Sequence, residues 1–155
     1  MNITEHFTLA ELTHSGTAIA RKLPNIPPEH TLEVLKKTAH CMERVRAALK
    51  NSPIRITSWY RSPEVNDAVR SHRTSQHIKG EAVDFTCPAF GTPVEICAEL
   101  VALKDLIRFD QLILEPSWVH ISFAIISGKP RGNVLTLLST GKYAVGLTDM
   151  KGNLL

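Results

Sequence analysis

Residues Ser58–Phe85 read S-W-Y-R-S-P-E-V-N-D-A-V-R-S-H-R-T-S-Q-H-I-K-G-E-A-V-D-F. Near the end of this stretch, His77 and Asp84 lie seven residues apart, which is too far for adjacent helical turns but suits a turn that leads into a strand. Gly80 lets such a turn bend without the steric cost of a Cβ atom. In the following E-A-V-D-F, strand alternation places Asp84 on one face and Phe85 in the core.

A second histidine follows in E-P-S-W-V-H-I-S-F, residues 115–123. Strand alternation places His120 on the polar face of an otherwise apolar strand. Two histidines and one aspartate are a donor set that zinc prefers, and three protein ligands leave a tetrahedral zinc one open position. We therefore predict one zinc ion per chain, bound by His77, Asp84 and His120. Glu115, just upstream, is a free carboxylate that could take a proton from water at that open position.

The order of these residues resembles a known family. The pattern S-x-H-x-x-G-x-A-x-D at residues 75–84, followed by E-x-x-W-x-H at residues 115–120, is similar to the zinc D-Ala-D-Ala carboxypeptidase family. That family belongs with the lysostaphin-like and hedgehog-like zinc peptidases. S-W-Y-R-S-P-E-V-N resembles its substrate-binding arginine segment, and the opening F-T-L-A-E-L-T-H-S with P-N-I-P-P resembles a short, phage-encoded branch. The likeness covers roughly residues 5–125.

The resemblance implies an α+β fold, with a small, mostly antiparallel sheet and helices packed on one side. It also implies a zinc peptidase that cleaves the peptide stem of bacterial peptidoglycan, at a D-alanyl bond.

The sequence departs from the vancomycin-resistance dipeptidases in one respect. Their catalytic glutamate lies three residues before the last histidine, where this chain has Ser117, whereas Glu115 lies five before. Offsets of three and five have the same parity, so Glu115 can point to the same side of an extended chain.

Four further side chains are candidates for substrate binding. Arg61 stands at a helix start, where a cation is unfavourable to the helix dipole, and this local conflict favours a functional role. Its planar fork suits a substrate carboxylate or a developing oxyanion. Trp118 is expected to form a wall beside the site, and Ser75 to orient the loop that carries His77. Tyr60 is either a core residue or a hydrogen-bond donor in the cleft.

His72 is the main rival for a ligand role. It sits in R-S-H-R, where neighbouring cations disfavour another cation, and we expect it to be solvated.

Two other functions remain open. The same zinc constellation serves L-alanyl–D-glutamate endopeptidases of the endolysin type. A non-catalytic, zinc-stabilised module of a virion or cell-wall assembly is also possible, although the presence of Glu115 argues against it.

Composition limits the classes of protein further. The 155 residues, 43% hydrophobic and 21% charged, predict one domain, with a motif-bearing core at about 5–126 and a C-terminal extension at 127–155. The net charge of +3 suits an anionic polymer such as cell wall, whereas a nucleic-acid partner would favour a concentrated basic stripe. Three cysteines without C-x-x-C spacing indicate reduced thiols.

The N-terminus resembles no signal peptide, and no apolar run reaches the length of a membrane span. We expect a protein made in the cytoplasm that acts on the wall after phage or phage-like release, or that is virion-associated. Membrane insertion is not expected, and the sequence leaves the oligomeric state open.

Hydrophobic periodicity predicts a long helix after Pro28, with a stripe that includes Leu35 and Met42. A second helix, from Pro93 to about Leu103, is expected to bury Val94, Cys97, Ala98 and Val101. Residues 109–114 and 118–126 are predicted to form an antiparallel pair of strands, because their connection is short. Residues 134–138 and 143–147 are predicted to form a hairpin.

Overall fold

The computed structural model describes residues 1–155 and contains six helices and six strands. The helices are α1 (Leu9–Thr13), α2 (Gly16–Arg21), α3 (Glu29–Ala48), α4 (Pro63–Ala68), α5 (Pro93–Ala102) and α6 (Lys104–Ile107). The strands are β1 (Arg55–Ser58), β2 (Ala82–Thr86), β3 (Gln111–Leu114), β4 (Val119–Ser122), β5 (Asn133–Leu137) and β6 (Tyr143–Val145). The predicted α+β class is confirmed.

All six strands belong to one sheet, in the order β1-β2-β4-β3-β5-β6. Each neighbouring pair is antiparallel except β3 and β5, which run parallel. The predicted β3–β4 pair is present, and the backbone N–H of Glu115 donates to the Trp118 carbonyl oxygen, 3.1 Å away, across the short turn between them. The predicted C-terminal hairpin is also present as β5 and β6, which extend the sheet at one edge.

Local sequence signals explain where several helices begin. Thr8 caps α1 by accepting a hydrogen bond from the Glu11 backbone, and the Glu11 side chain accepts one from the Thr8 backbone in return. Ser62 caps α4 and is followed by Pro63, whose fixed φ suits the first helical position. Thr92 caps α5 in the same way. None of the six helices combines the length and apolar composition that a membrane span requires.

The two faces of the sheet carry different side chains. On one face, sheet residues pack against α5 and share one core cluster with the buried stripe of α3, with Phe85, Leu112 and Ile121 fully buried. The opposite face carries Asp84 and His120. Helix packing on one side therefore leaves the other side of the sheet available for a site.

The predicted buried face of α5 is partly wrong. Cys97 is buried as expected and Val101 packs half-buried against the core, but Val94 and Ala98 are exposed. Ile96 and Leu100 are the other fully buried residues. The cap at Thr92 fixes where the helix starts, but packing on β3 and β4 decides which side faces inward.

Gly80 ties the turn before β2 to α3. Its φ is +77°, a left-handed conformation that favours glycine, and a Cβ atom there would lie 2.9 Å from Leu35 Cγ. Thr38 Oγ1 donates a hydrogen bond to the Gly80 carbonyl oxygen, 2.9 Å away. Close backbone packing on α3 thus fixes the turn between His77 and Asp84.

We predict that Gly80→Ala destabilises the fold more than Gly141→Ala. Both glycines have positive φ, but a Cβ at Gly141 would meet nothing within 4 Å. Backbone strain should cost each variant about 1 kcal/mol of unfolding free energy. Gly80→Ala should lose a further ~1–3 kcal/mol, because buried Leu35 must move. Urea unfolding of both variants measures the difference, and equal stabilities would show that the turn does not depend on this close approach.

Candidate metal centre

Three ligand-type side chains converge on the open face of the sheet. Asp84 on β2 and His120 on β4 are direct partners in the antiparallel register, so their side chains emerge on the same side. His77 comes from the turn before β2. One potential ligand atom from each of these residues lies within 4.8 Å of the others. The structure thus brings together the three residues that the sequence predicted as metal ligands.

Asp84 lies between the two imidazoles. Its Oδ1 is 2.8 Å from His120 Nδ1, and its Oδ2 is 3.3 Å from His77 Nε2. The two imidazole ring centroids are 5.3 Å apart. His77 and Asp84 are buried, whereas His120 is half-buried at the floor of a cleft. A catalytic metal centre keeps one coordination position open, and a cleft gives water or substrate access to that position.

Backbone groups orient the His77 ring. Its Nδ1 lies 2.6 Å from the Trp59 carbonyl oxygen, to which an Nδ1–H donates, so Nε2 is the ring nitrogen that faces Asp84. This is the outer hydrogen bond that fixes the tautomer of metal-bound histidines. The loop is also held by the Arg61 N–H, which donates to the His77 carbonyl oxygen, and by Ser75 Oγ, which accepts from the His77 N–H.

The protonation states also suit a cation. Burial opposes ionisation of the Asp84 carboxyl, but the charges and hydrogen bonds of His77 and His120 outweigh it and hold the Asp84 pKa well below its usual range. Burial lowers the pKa of His77, although the attraction of Asp84 opposes this effect. An ionised carboxylate and a neutral imidazole are the forms that coordinate metals. The nitrogen and oxygen donors of the three residues therefore fit a borderline cation such as zinc.

The group lies in a cleft of about 430 Å³ that four other predicted residues also line. These are Arg61, Ser75, Glu115 and Trp118. Glu115 follows β3 and is only 9% exposed. Burial raises the pKa of the Glu115 carboxyl, the nearby charge of Asp84 raises it further, and His120 opposes the rise. A carboxylate with a raised pKa accepts a proton more readily than a carboxylate with an ordinary pKa.

Arg61 lies directly beside the group of three. Its Nη2 is 3.4 Å from Asp84 Oδ2, and its Nε donates to Ser58 Oγ, 3.2 Å away. The side chain is 16% exposed and lines the cleft. The guanidinium can therefore meet an anionic or carbonyl oxygen of a molecule in the cleft.

Two other residues considered from the sequence lie outside the group. The Tyr60 side chain is 3% exposed and belongs to the core cluster rather than to the cleft lining, which is one of the two placements that the sequence left open. His72 is exposed at the rim of the cleft and is not part of the group of potential ligands.

The cleft includes residues that sequence reasoning did not select. Gln111 and Ile113 line it from β3, and counting back by twos from Glu115 would have found both of them. Arg131 and Tyr143 line it from the C-terminal segment. No local motif marks these two, because the parallel pairing of β5 with β3 brings their segment to the cleft.

Comparison with known proteins agrees with this geometry. A family model described as Peptidase M15 matches residues 5–122, which is more than half of the chain and contains all three ligand-type residues. The comparison with curated proteins gives no match.

We predict that the protein binds one zinc ion per chain and that His120→Ala loses it. Removing one of three ligands should weaken zinc binding severely, because the remaining two cannot complete the site. Elemental analysis after dialysis measures the zinc content. The matched control is His72→Ala, which removes a cleft histidine outside the group and should keep the zinc. Undiminished zinc in His120→Ala would refute the assignment.

Proposed function

The chain belongs to the peptidase M15 family, and from this premise we propose that it is a zinc-dependent peptidase that cleaves the stem peptide of bacterial peptidoglycan at a D-alanyl bond. The observation that supports the proposal is the convergence of His77, Asp84 and His120 in one cleft, beside a buried carboxylate and a guanidinium. Together these groups supply the parts that hydrolysis of an amide requires.

His77, Asp84 and His120 would hold the metal. A zinc ion bound there would act as a Lewis acid towards the scissile carbonyl and would make water nucleophilic near neutral pH. The Trp59 carbonyl oxygen keeps His77 in the tautomer that presents Nε2.

Glu115 would be the general base. It lines the same cleft, and its raised pKa suits a group that removes a proton from the attacking water and returns it to the leaving amine. Its position in the tight turn between β3 and β4 limits how far its backbone can move. Trp118, at the other end of that turn, forms part of the cleft wall.

Arg61 would bind the carboxylate at the C-terminus of the substrate. A bidentate, charge-assisted contact beside the metal would place the preceding peptide bond at the reactive centre. This role favours cleavage next to a terminal D-alanine, as in a carboxypeptidase. Arg61 also lies 3.4 Å from Asp84, close enough to the centre to stabilise an oxyanion instead of a carboxylate. In that role the substrate needs no free C-terminus, so the second candidate is an L-alanyl–D-glutamate endopeptidase.

We predict that Glu115→Gln keeps the metal but lowers kcat by about 10²–10⁴, the usual contribution of a positioned general base. The measurement is amine release from a stem pentapeptide, with zinc content determined on the same sample. Glu5→Gln is the control, because its side chain is 85% exposed. Near-normal turnover by Glu115→Gln would assign the base to another group, and no amine release by the wild type would favour a non-catalytic module.

We predict that Arg61→Ala lowers kcat/KM for a stem pentapeptide with a free C-terminus by about 10- to 100-fold, as expected for one charge-assisted hydrogen-bonding pair. The C-terminal amide of the same peptide should be a poor substrate for the wild type and should lose little more in the variant. Arg73→Ala is the matched control, since its side chain is 89% exposed. Equal cleavage of acid and amide by the wild type, or a cut between L-Ala and D-Glu, would favour the endopeptidase.

A further inference from the structure

The C-terminal hairpin of β5 and β6 lies outside the family match, yet it continues the open face of the sheet beyond the metal centre. Strand register shows how. His120 pairs with Ile113 on β3, Ile113 pairs with Leu135 on β5, and Leu135 pairs with Val145 on β6. Residues paired in register project to the same side of a sheet. Leu135 and Val145 therefore face the same side as the metal ligands.

A second row runs beside the first. Leu114 pairs with Thr136, so the next residues along these parallel strands, Glu115 and Leu137, are level with each other. Leu137 in turn pairs with Tyr143, which lines the cleft. Tyr143 is close enough to the catalytic group that, after burial, the negative charge of Glu115 is the main influence that raises its pKa.

The four hairpin residues of these rows form an apolar surface that we call the shelf. They are Leu135, Leu137, Tyr143 and Val145. Tyr143 is 54% exposed and Val145 is 83% exposed. The alternate residue of β5, Val134, packs against the core instead, as does Leu147 beyond β6. The hairpin is thus anchored on one side and presents apolar side chains on the other, continuous with the cleft.

The shelf and Arg61 lie on opposite sides of the metal centre. Arg61 follows β1, at one edge of the sheet, and β6 is the other edge. If Arg61 takes the C-terminal carboxylate, as proposed above, the amino side of the substrate can cross β3, β5 and β6, the direction in which Tyr143 lines the cleft. From β4 to β6 there are three strand spacings of about 4.8 Å each, or roughly 14 Å. An extended peptide covers that distance with about four residues.

We propose that the shelf is a substrate subsite for the residues on the amino side of the scissile bond of a peptidoglycan stem peptide. This inference rests on the proposed function. Four residues precede the terminal D-alanine of a stem pentapeptide, which matches the span from the metal centre to β6. The aliphatic chain of the diamino acid is the largest apolar group among them, and it would lie on Leu137 and Tyr143 while its amino group stays in water. Tyr143 is then a specificity-determining residue.

The test compares two substrates that share one scissile bond, L-Ala-γ-D-Glu-L-Lys-D-Ala-D-Ala and N-acetyl-D-Ala-D-Ala. The wild-type zinc enzyme should have a higher kcat/KM for the pentapeptide. In Tyr143→Ala the ratio of the two kcat/KM values should fall about tenfold, because part of a large apolar contact is lost. Tyr143→Phe keeps the ring and should keep most of the ratio.

Two further variants make the kinetic test specific. Val145→Ser should also lower the ratio, and its exposed position makes a folding defect improbable as a cause. The matched control is Leu106→Ala on α6, an apolar side chain that is 60% exposed but lies away from the open face, and it should leave the ratio unchanged. If the wild type cleaves both substrates equally well, the proposed function stands and the subsite is refuted. If it cleaves neither, both fail.

A binding measurement provides a readout that does not depend on turnover. Titration of the zinc-loaded Glu115→Gln variant with the pentapeptide should shift the methyl NMR signals of Leu135, Leu137 and Val145, and the dipeptide should leave them in place. If a second copy of the chain covers the shelf instead, the pentapeptide will not move these signals, and sedimentation will show a dimer that Tyr143→Ala dissociates. That result would overturn the proposal.

Discussion

The pairing of Asp84 with His120 across β2 and β4 is the constraint on which the site depends. Strand register places the two side chains opposite each other and on one face, 2.8 Å apart. A shift of one residue in either strand would turn one ligand into the core. The apolar alternation that buries Val83, Phe85, Val119 and Ile121 specifies this register, so the same residues that build the core also align the candidate ligands.

The third candidate ligand, His77, depends on a contact outside the sheet. His77 lies in a turn that passes close to α3 at Gly80, and its ring is held by the Trp59 carbonyl oxygen beyond β1. Arg61, two residues after Trp59, reaches Asp84 from the same segment. One short segment therefore both orients the candidate ligand His77 and supplies the guanidinium beside it. The backbone that carries Arg61 is thus fixed relative to the centre by the fold.

Sequence reasoning succeeded where the signal was local. Alternation in E-A-V-D-F and W-V-H-I-S predicted which residues share a face, and the apolar stripe with Leu35 and Met42 predicted the long helix α3. It was weaker where tertiary packing decides. The buried face of α5 was partly misjudged because β3 and β4 select it, and Tyr143 was missed because only the parallel pairing of β5 with β3 brings the hairpin to the cleft.

If His77, Asp84 and His120 hold a metal on the open face of the sheet, as we propose, Arg61 and the shelf lie on opposite sides of the bond that is cleaved. The most direct test of this account is mass spectrometry of purified muropeptides after incubation with the zinc-loaded protein. The account predicts that pentapeptide stems lose their terminal D-alanine, and that a chelator prevents this loss. Unchanged muropeptides, the same products in the presence of the chelator, or cleavage between L-alanine and D-glutamate would contradict it.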